Sequence, residues 1–221
     1  MPAFHPRFED LPSEIAIFPL SGALLLPQGR LPLNIFEPRY LAMITDALAN
    51  GRMFGMVQAE AGKPPGATGP ATYGVGCLGR LSSFSETDDG RFLITLNGVL
   101  RFRIAEELPL ASGGYRRVRA DYAPFRADID PGLPAPQLDR AALLGALRAY
   151  FRIRGIEANW DAIEKTGDAL LVVSLGMLCP FSVPEKQALL EAETPNARAA
   201  LLTSLLQMGA CAPDPNTERP N

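Results

Sequence analysis

The chain has 221 residues, of which 47% are apolar and 20% charged, with a formal net charge of -3. That length suits one large domain or two small ones with a real core, and the balance excludes wholesale disorder. A net negative chain exerts no long-range pull on phosphate backbones or anionic lipid, although a local basic stripe is compatible with it.

Cys77, Cys179 and Cys211 are spread widely and form no C-x-x-C pair that would seed a zinc site. They read as reduced thiols in a cytoplasmic protein, with Cys77 and Cys179 acting as small core hydrophobes. The N-terminus carries no secretory pattern, and no apolar run reaches the roughly 18 residues of a membrane span.

The first half reads as short strands punctuated by Gly and Pro. Ile15 to Pro19 and Ala23 to Pro27 are apolar runs closed by proline, which removes a ladder donor and favours strand ends or edges. Leu31 to Phe36 is strand-like. Glu37-Pro38 then opens a helix, because proline at the first helical position loses no bond and a carboxylate there faces the positive end of the dipole. Tyr40, Leu41, Ile44, Ala47 and Leu48 recur at helical spacing, and Gly51 is the stop.

Met53 to Gln58 and Gly74 to Phe84 read as strands, separated by a Gly- and Pro-rich loop, Ala59 to Tyr73, that contains Lys63. Structureless loops beyond about 12 to 15 residues are usually functional or disordered. Asp88-Asp89-Gly90 is a hairpin signal, so Gly74 to Phe84 should pair with Arg91 to Leu96. Asn97-Gly98 reads as another turn. After it, Leu100, Phe102 and Ile104 alternate with Arg101 and Arg103, which places both arginines on a wet face.

Prolines 131, 134 and 136 end the sheet pattern and mark a linker at 126–136 between a head, 1–125, and a helical part, 137–211. Leu138, Leu143, Leu144, Leu147 and Phe151 form a helical stripe that stops near Gly155. Short helices are expected around Trp160 to Lys165 and Asp168 to Leu178. Ser182-Val183-Pro184-Glu185 is a capping box, and Thr194-Pro195 starts a last helix with Gly209 as its stop. The tail, 212–221, should be disordered.

Little catalytic chemistry is legible. One histidine, His5, sits in a terminal segment, which leaves metal sites and a Ser-His-Asp triad without their usual residue. No phosphate loop or dinucleotide fingerprint occurs, so neither ATP nor a nicotinamide cofactor is expected. The paired carboxylates Asp88-Asp89 and Glu106-Glu107 read as turn and surface residues. Arg101, Arg103, Arg116, Arg117 and Arg119 form the main charge pattern. They are either a stripe for phosphate or acidic peptide, or a solvated face balanced by Glu106, Glu107 and Asp121.

The segments IFPLSGALLLPQGRLPLNIFEPRYLAMI, FGMVQ, YGVGCLGRLSSF, DDGRFLITLNGVLRFRI and PEKQALLEAETPNARAALLTSLLQM, in that order from about residue 13 to 208, resemble the Lon protease N-terminal domain family. The resemblance is strongest to small bacterial proteins that carry this domain alone. It implies an α+β fold, with a PUA-like β-barrel-type head bearing one packed helix, followed by a C-terminal helical bundle. It also implies a non-catalytic module for unfolded or extended polypeptides, working beside a separate protease or chaperone and needing no cofactor. The alternative is an RNA-binding protein that uses the arginine face of the head.

The binding candidates are Phe36, Glu37, Arg39, Tyr40 and Lys63. Phe36, Tyr40 and Phe102 also suit core positions. Glu37 and Arg39 either tie the helix start to the sheet or make a polar contact at the surface. The loop from Ala59 to Tyr73 is either a flap over clients or a plain insertion, and an edge left by Ile15 to Pro19 could accept an extended peptide as an added strand.

Overall fold

The computed structural model describes residues 6–66, 68–130, 132 and 135–211. His5, the tail 212–221 and the linker residues Pro131, Leu133 and Pro134 lie outside them. The chain divides into two compact units, the first of residues 1–133 with 180–190, and the second of residues 134–179 with 191–221.

In the first unit the strands are β1 (Glu14–Pro19), β2 (Arg30–Ile35), β3 (Met53–Val57), β4 (Val75–Glu86), β5 (Phe92–Leu108) and β6 (Arg116–Asp121), with helix α1 (Pro38–Ala49) between β2 and β3. The order is β2-β5-β4-β3-β1-β6, and a further β5–β6 pairing joins β1, β3, β4, β5 and β6 in a ring. β1 runs parallel to β3 and antiparallel to β6. β1 thus has a neighbour on each side, but the two pairings overlap only at Ile17, with Glu14 to Ala16 registered on β6 alone and Phe18 and Pro19 on β3 alone. Among the described residues β2 is an outer strand, with β5 as its paired neighbour, and Pro32 withholds one backbone donor there.

The core gathers Ile15, Ile17, Val57, Leu78, Leu100, Phe102, Val118 and Tyr122. α1 begins with Pro38 behind Glu37, whose carbonyl accepts the amides of Tyr40 and Leu41, each at 2.9 Å. The helix buries Tyr40, Met43, Ile44 and Ala47, spaced to form one face. The hairpin at Asp88-Asp89-Gly90 forms as its turn residues require: Gly90 has φ +78°, and Phe84 lies opposite Ile94.

Three sequence expectations change here. Ala23 to Pro27 forms no strand, yet Leu24, Leu25 and Leu26 are buried, so this is an irregular segment held by apolar burial. Asn97-Gly98 is no turn, since β5 runs straight through it. Gly98 is needed because a Cβ there would lie 2.0 Å from the Leu26 carbonyl oxygen. The amide of Gln28 donates to the Gly98 carbonyl at 2.9 Å, and the Gly98 amide donates to Gly29 at 2.8 Å.

The third is Arg101. Its side chain is only 4% exposed, against the wet face that alternation suggests. A 3₁₀ segment, Ala123–Ile129, lies along β5 and brings Asp128 to the guanidinium. Asp128 Oδ2 accepts from Arg101 Nε at 2.8 Å and from the Arg101 amide at 3.0 Å, and Oδ1 accepts from Nη2 at 2.8 Å. Asp128 falls within the stretch read as linker, and it is buried.

Residues 180–190 also belong to the first unit, although the capping box places them in the helical part by sequence. They carry most of α5 (Val183–Glu191). The box forms in half: the Ser182 amide and hydroxyl both donate to Glu185 Oε2 at 2.7 Å. Polar bonds hold the helix to the sheet, with Lys186 Nζ donating to the Gly22 carbonyl at 2.6 Å, Gln187 Nε2 to Val75 at 3.0 Å, and Arg101 Nη1 to Leu190 at 3.1 Å.

The second unit comprises α2 (Arg140–Arg154), α3 (Trp160–Lys165), α4 (Asp168–Leu178) and α6 (Pro195–Cys211). Asp139 caps α2 by accepting the Ala142 amide at 2.9 Å, and Gly155 ends it with φ +62°. α6 starts at the expected cap, where Thr194 Oγ1 accepts the Ala197 amide at 3.1 Å, and it continues through Gly209, against which the Tyr150 ring packs.

Candidate functional site

Four separated stretches of the first unit converge on one small cavity: the end of β1, the first turn of α1, the segment between β3 and β4, and the turn leading into β6. Its lining is Pro19, Arg39, Tyr40, Thr68, Pro70, Gly114, Tyr115 and Arg116, around about 80 Å³. The segment from Ala59 to Tyr73 is shaped rather than structureless. Glu60 donates its amide to Ala71 at 2.8 Å, Tyr73 to Gln58 at 3.0 Å, and Gly66 to Gly69 at 2.8 Å. It is a short hairpin-like flap that extends the β3–β4 connection.

Arg116 anchors the flap. Its side chain is 8% exposed, its Nε donates to Glu107 Oε1 at 2.6 Å, and its Nη1 donates to the Pro70 carbonyl at 2.8 Å. Thr68 Oγ1 donates to the same Glu107 oxygen at 2.5 Å. Burial alone would raise the Glu107 carboxyl, but the bonds from Arg116 and Thr68 and the Arg116 charge outweigh it, so the net shift is downward. Tyr115 donates its hydroxyl to Asp46 on α1 at 2.6 Å. Its pKa is pushed up to about 12, first by burial and then by the bond to that carboxylate and its charge.

On α1, Arg39 and Glu37 pair with each other at 2.8 Å, with both side chains about half exposed. Glu37 therefore does not tie the helix start to the sheet. The Arg39 guanidinium carbon lies 4.6 Å above the Tyr40 ring. Tyr40 itself is buried, and its ring centroid is 4.2 Å from that of Phe18. Burial raises its hydroxyl pKa, against the opposing charge of Arg39.

Of the five residues singled out from the sequence, Arg39 and Tyr40 line this cavity, and Glu37 holds Arg39. Phe36 does not belong to the core: it is 63% exposed, with the Arg91 guanidinium 5.9 Å from its ring. Lys63 pairs with Glu60 on the flap at 2.8 Å. Thr68, Pro70, Tyr115 and Arg116 were missed as cavity residues, since nothing in their local sequence relates them to residue 39.

The arginine stripe is largely consumed by ion pairs and bonds within the unit. Arg101 and Arg116 are buried on Asp128 and Glu107, and Arg119 pairs with Glu106 at 2.5 Å and Glu14 at 3.3 Å. A second, shallower hollow lies over β2, β4 and β5, lined by Pro32, Asn34, Ser83, Ser85, Leu93 and Thr95 among others. Among the described residues no cluster of potential metal ligands is found, and no helix is long and apolar enough to cross a membrane.

The fold is a mixed α+β arrangement that two solved structures share. A Lon N-terminal domain protein from Xanthomonas campestris matches with a TM-score of 0.59 and 21% identity, over 86% of this chain and 97% of that one. The N-terminal domain of Lon protease from Mycobacterium avium complex matches with a TM-score of 0.59 and 15% identity, over 90% and 98%. Residues 14–208 match the model of the ATP-dependent protease La (LON) substrate-binding domain. The chain belongs to that family. Among curated proteins it is 26% identical over 217 residues to Lon protease 2 of Sorangium cellulosum, covering 93% of this chain and 26% of that protein. It is 23% identical over 202 residues to Lon protease 2 of Myxococcus xanthus, covering 90% and 24%. The chain thus spans about a quarter of the length of these relatives.

Proposed function

We propose that this chain is a non-catalytic polypeptide-binding module whose site is the cavity beside the first turn of α1, closed on one side by the flap. The observation that carries the reading is the convergence of Pro19, Arg39, Tyr40, Thr68, Tyr115 and Arg116 from four parts of the chain around one small space, in a family described by substrate binding. Tyr40 and Tyr115 supply rigid amphipathic surface and Arg39 a half-exposed fork, the residue types that dominate polypeptide recognition. Phe36 adds an apolar contact where β2 leads into α1, Glu37 orients Arg39, and Lys63 presents the flap. The ring of strands supports a PUA-like description of the head. Clients are unfolded or extended polypeptides, and the module serves as an adaptor to a separate protease or chaperone. Use of the arginine face for RNA has less support, since Arg101, Arg116 and Arg119 are engaged by carboxylates.

The test is fluorescence anisotropy with a labelled, permanently unfolded model protein. Binding should appear with the wild type and weaken about tenfold in Arg39→Ala, the scale of a lost contact to a charged group. Absence of binding, or equal binding by the variant, contradicts the proposal. Deleting 62–70 is the poorer test, because Thr68 and Pro70 hold Glu107 and Arg116.

A further inference from the structure

The cavity beside α1 has a chemistry that polypeptide binding in general does not require. Among the described residues its lining includes Arg39 and Arg116 and no acidic residue, together with Tyr40, Tyr115, Pro19 and Pro70. The acids that neutralise the arginines, Glu37 and Glu107, are absent from that lining.

Neither arginine is saturated by these acids. A guanidinium carries five N–H donors in a planar fork. Arg116 spends Nε on Glu107 and Nη1 on the Pro70 carbonyl, and those two bonds leave three N–H groups on a side chain that is 8% exposed. Arg39, half exposed, directs Nε and Nη2 to a single oxygen of Glu37 and also acts on the Tyr40 hydroxyl by a hydrogen bond, which still leaves part of its fork unengaged. These remaining donors are not sealed off from solvent, and they stay available to an acceptor that enters the cavity. A planar acceptor with two oxygens matches the fork best.

Size narrows the partner further. About 80 Å³ is a small space, suited to a compact group such as one carboxylate with its first carbon.

We infer that the cavity is a carboxylate subsite that takes the free C-terminal carboxylate or an acidic side chain of a bound polypeptide. This rests on the polypeptide-binding reading and adds the chemical feature that is recognised. A chain end reaches a small, partly covered cavity with the least displacement of the flap, so the C-terminus is the favoured source. A client would lie with its terminal residue against Tyr40 and Tyr115 and its preceding residues extended outward.

The experiment compares three peptides of one apolar and neutral-polar sequence, each labelled with an uncharged, carboxylate-free dye and measured by anisotropy against the wild type and Arg39→Gln. One ends in a free acid, one in an amide, and one in an amide with a single internal aspartate. Because the comparison is made on the ligand, it needs no variant to fold. The free acid should bind about tenfold more tightly than the plain amide, and Arg39→Gln should bring the two together. Tighter binding of the aspartate peptide alone also supports a carboxylate subsite and assigns its source to a side chain. Equal binding of all three overturns the subsite while leaving polypeptide binding in place. Failure of every peptide and of the unfolded model protein overturns both.

Discussion

Replacing Asp128 by Asn removes one charge from a buried pair at nearly constant volume. The Arg101 and Asp128 side chains are 4% and 7% exposed, and three bonds of 2.8 to 3.0 Å join them, counting the Arg101 amide. Arg101 also holds the Leu190 carbonyl, and its guanidinium lies 4.6 Å from the Phe125 ring. With Asp128 neutralised, the guanidinium keeps its position but loses its counter-charge in a low-dielectric site. Breaking a buried pair from one side costs about 3 to 5 kcal/mol. For a chain of this size about 2 to 4 °C accompanies each kcal/mol, so Tm should fall by roughly 6 to 20 °C. Thermal and urea unfolding followed by circular dichroism measure this directly. The double variant Arg101→Met, Asp128→Leu should recover much of the loss, because an apolar pair leaves no stranded charge. A loss below about 1 kcal/mol for Asp128→Asn, the scale of an exposed pair, would refute the reasoning.

Gly98→Ala should lose at least about 1 to 3 kcal/mol, because its Cβ meets the Leu26 backbone. Gly145→Ala, in the middle of α2 with nothing within 4 Å of a new Cβ, should gain about 0.5 to 1 kcal/mol; urea midpoints that fail to move in opposite directions contradict the packing described. Tyr115 should ionise near 12, so its contribution to stability is fully present below the unfolded value near 10 and is lost as pH rises through 12. Ultraviolet titration of the wild type against Tyr115→Phe isolates that step, and an ordinary pKa for Tyr115 counts against its burial on Asp46. A fragment ending at Leu133 should bind hydrophobic dyes and aggregate, because it lacks residues 180–190 of the first unit, whereas the same fragment with 180–190 joined by a flexible linker should stay soluble.

The elements written in local chemistry were legible. The Glu37-Pro38 helix start, the Asp88-Asp89-Gly90 hairpin and the Thr194-Pro195 cap each depend on residues a few positions apart. What depended on distant chain was not. Leu24 to Leu26 read as a strand because burial and β-propensity share the same residues, and Asn97-Gly98 read as a turn because glycine serves close approach as well as positive φ. Arg101 alternates as a wet-face residue, but the 3₁₀ segment and α5 that cover it arrive 27 and 89 positions later. The site divides the same way. Arg39 and Tyr40 announce themselves in the helix start, while Arg116 becomes a cavity residue only because the flap and Glu107 meet it in space.

The central claim is that polypeptide is held between α1 and the flap of the first unit. A photo-crosslinking amino acid placed in turn at Phe36, Lys63 and Leu170 tests it most directly, since all three side chains are well exposed and Leu170 lies on α4 of the second unit. With a labelled unfolded protein, cross-links should form from positions 36 and 63 and be competed by unlabelled client, with little from position 170. Equal labelling from all three, or labelling confined to 170, would contradict the account.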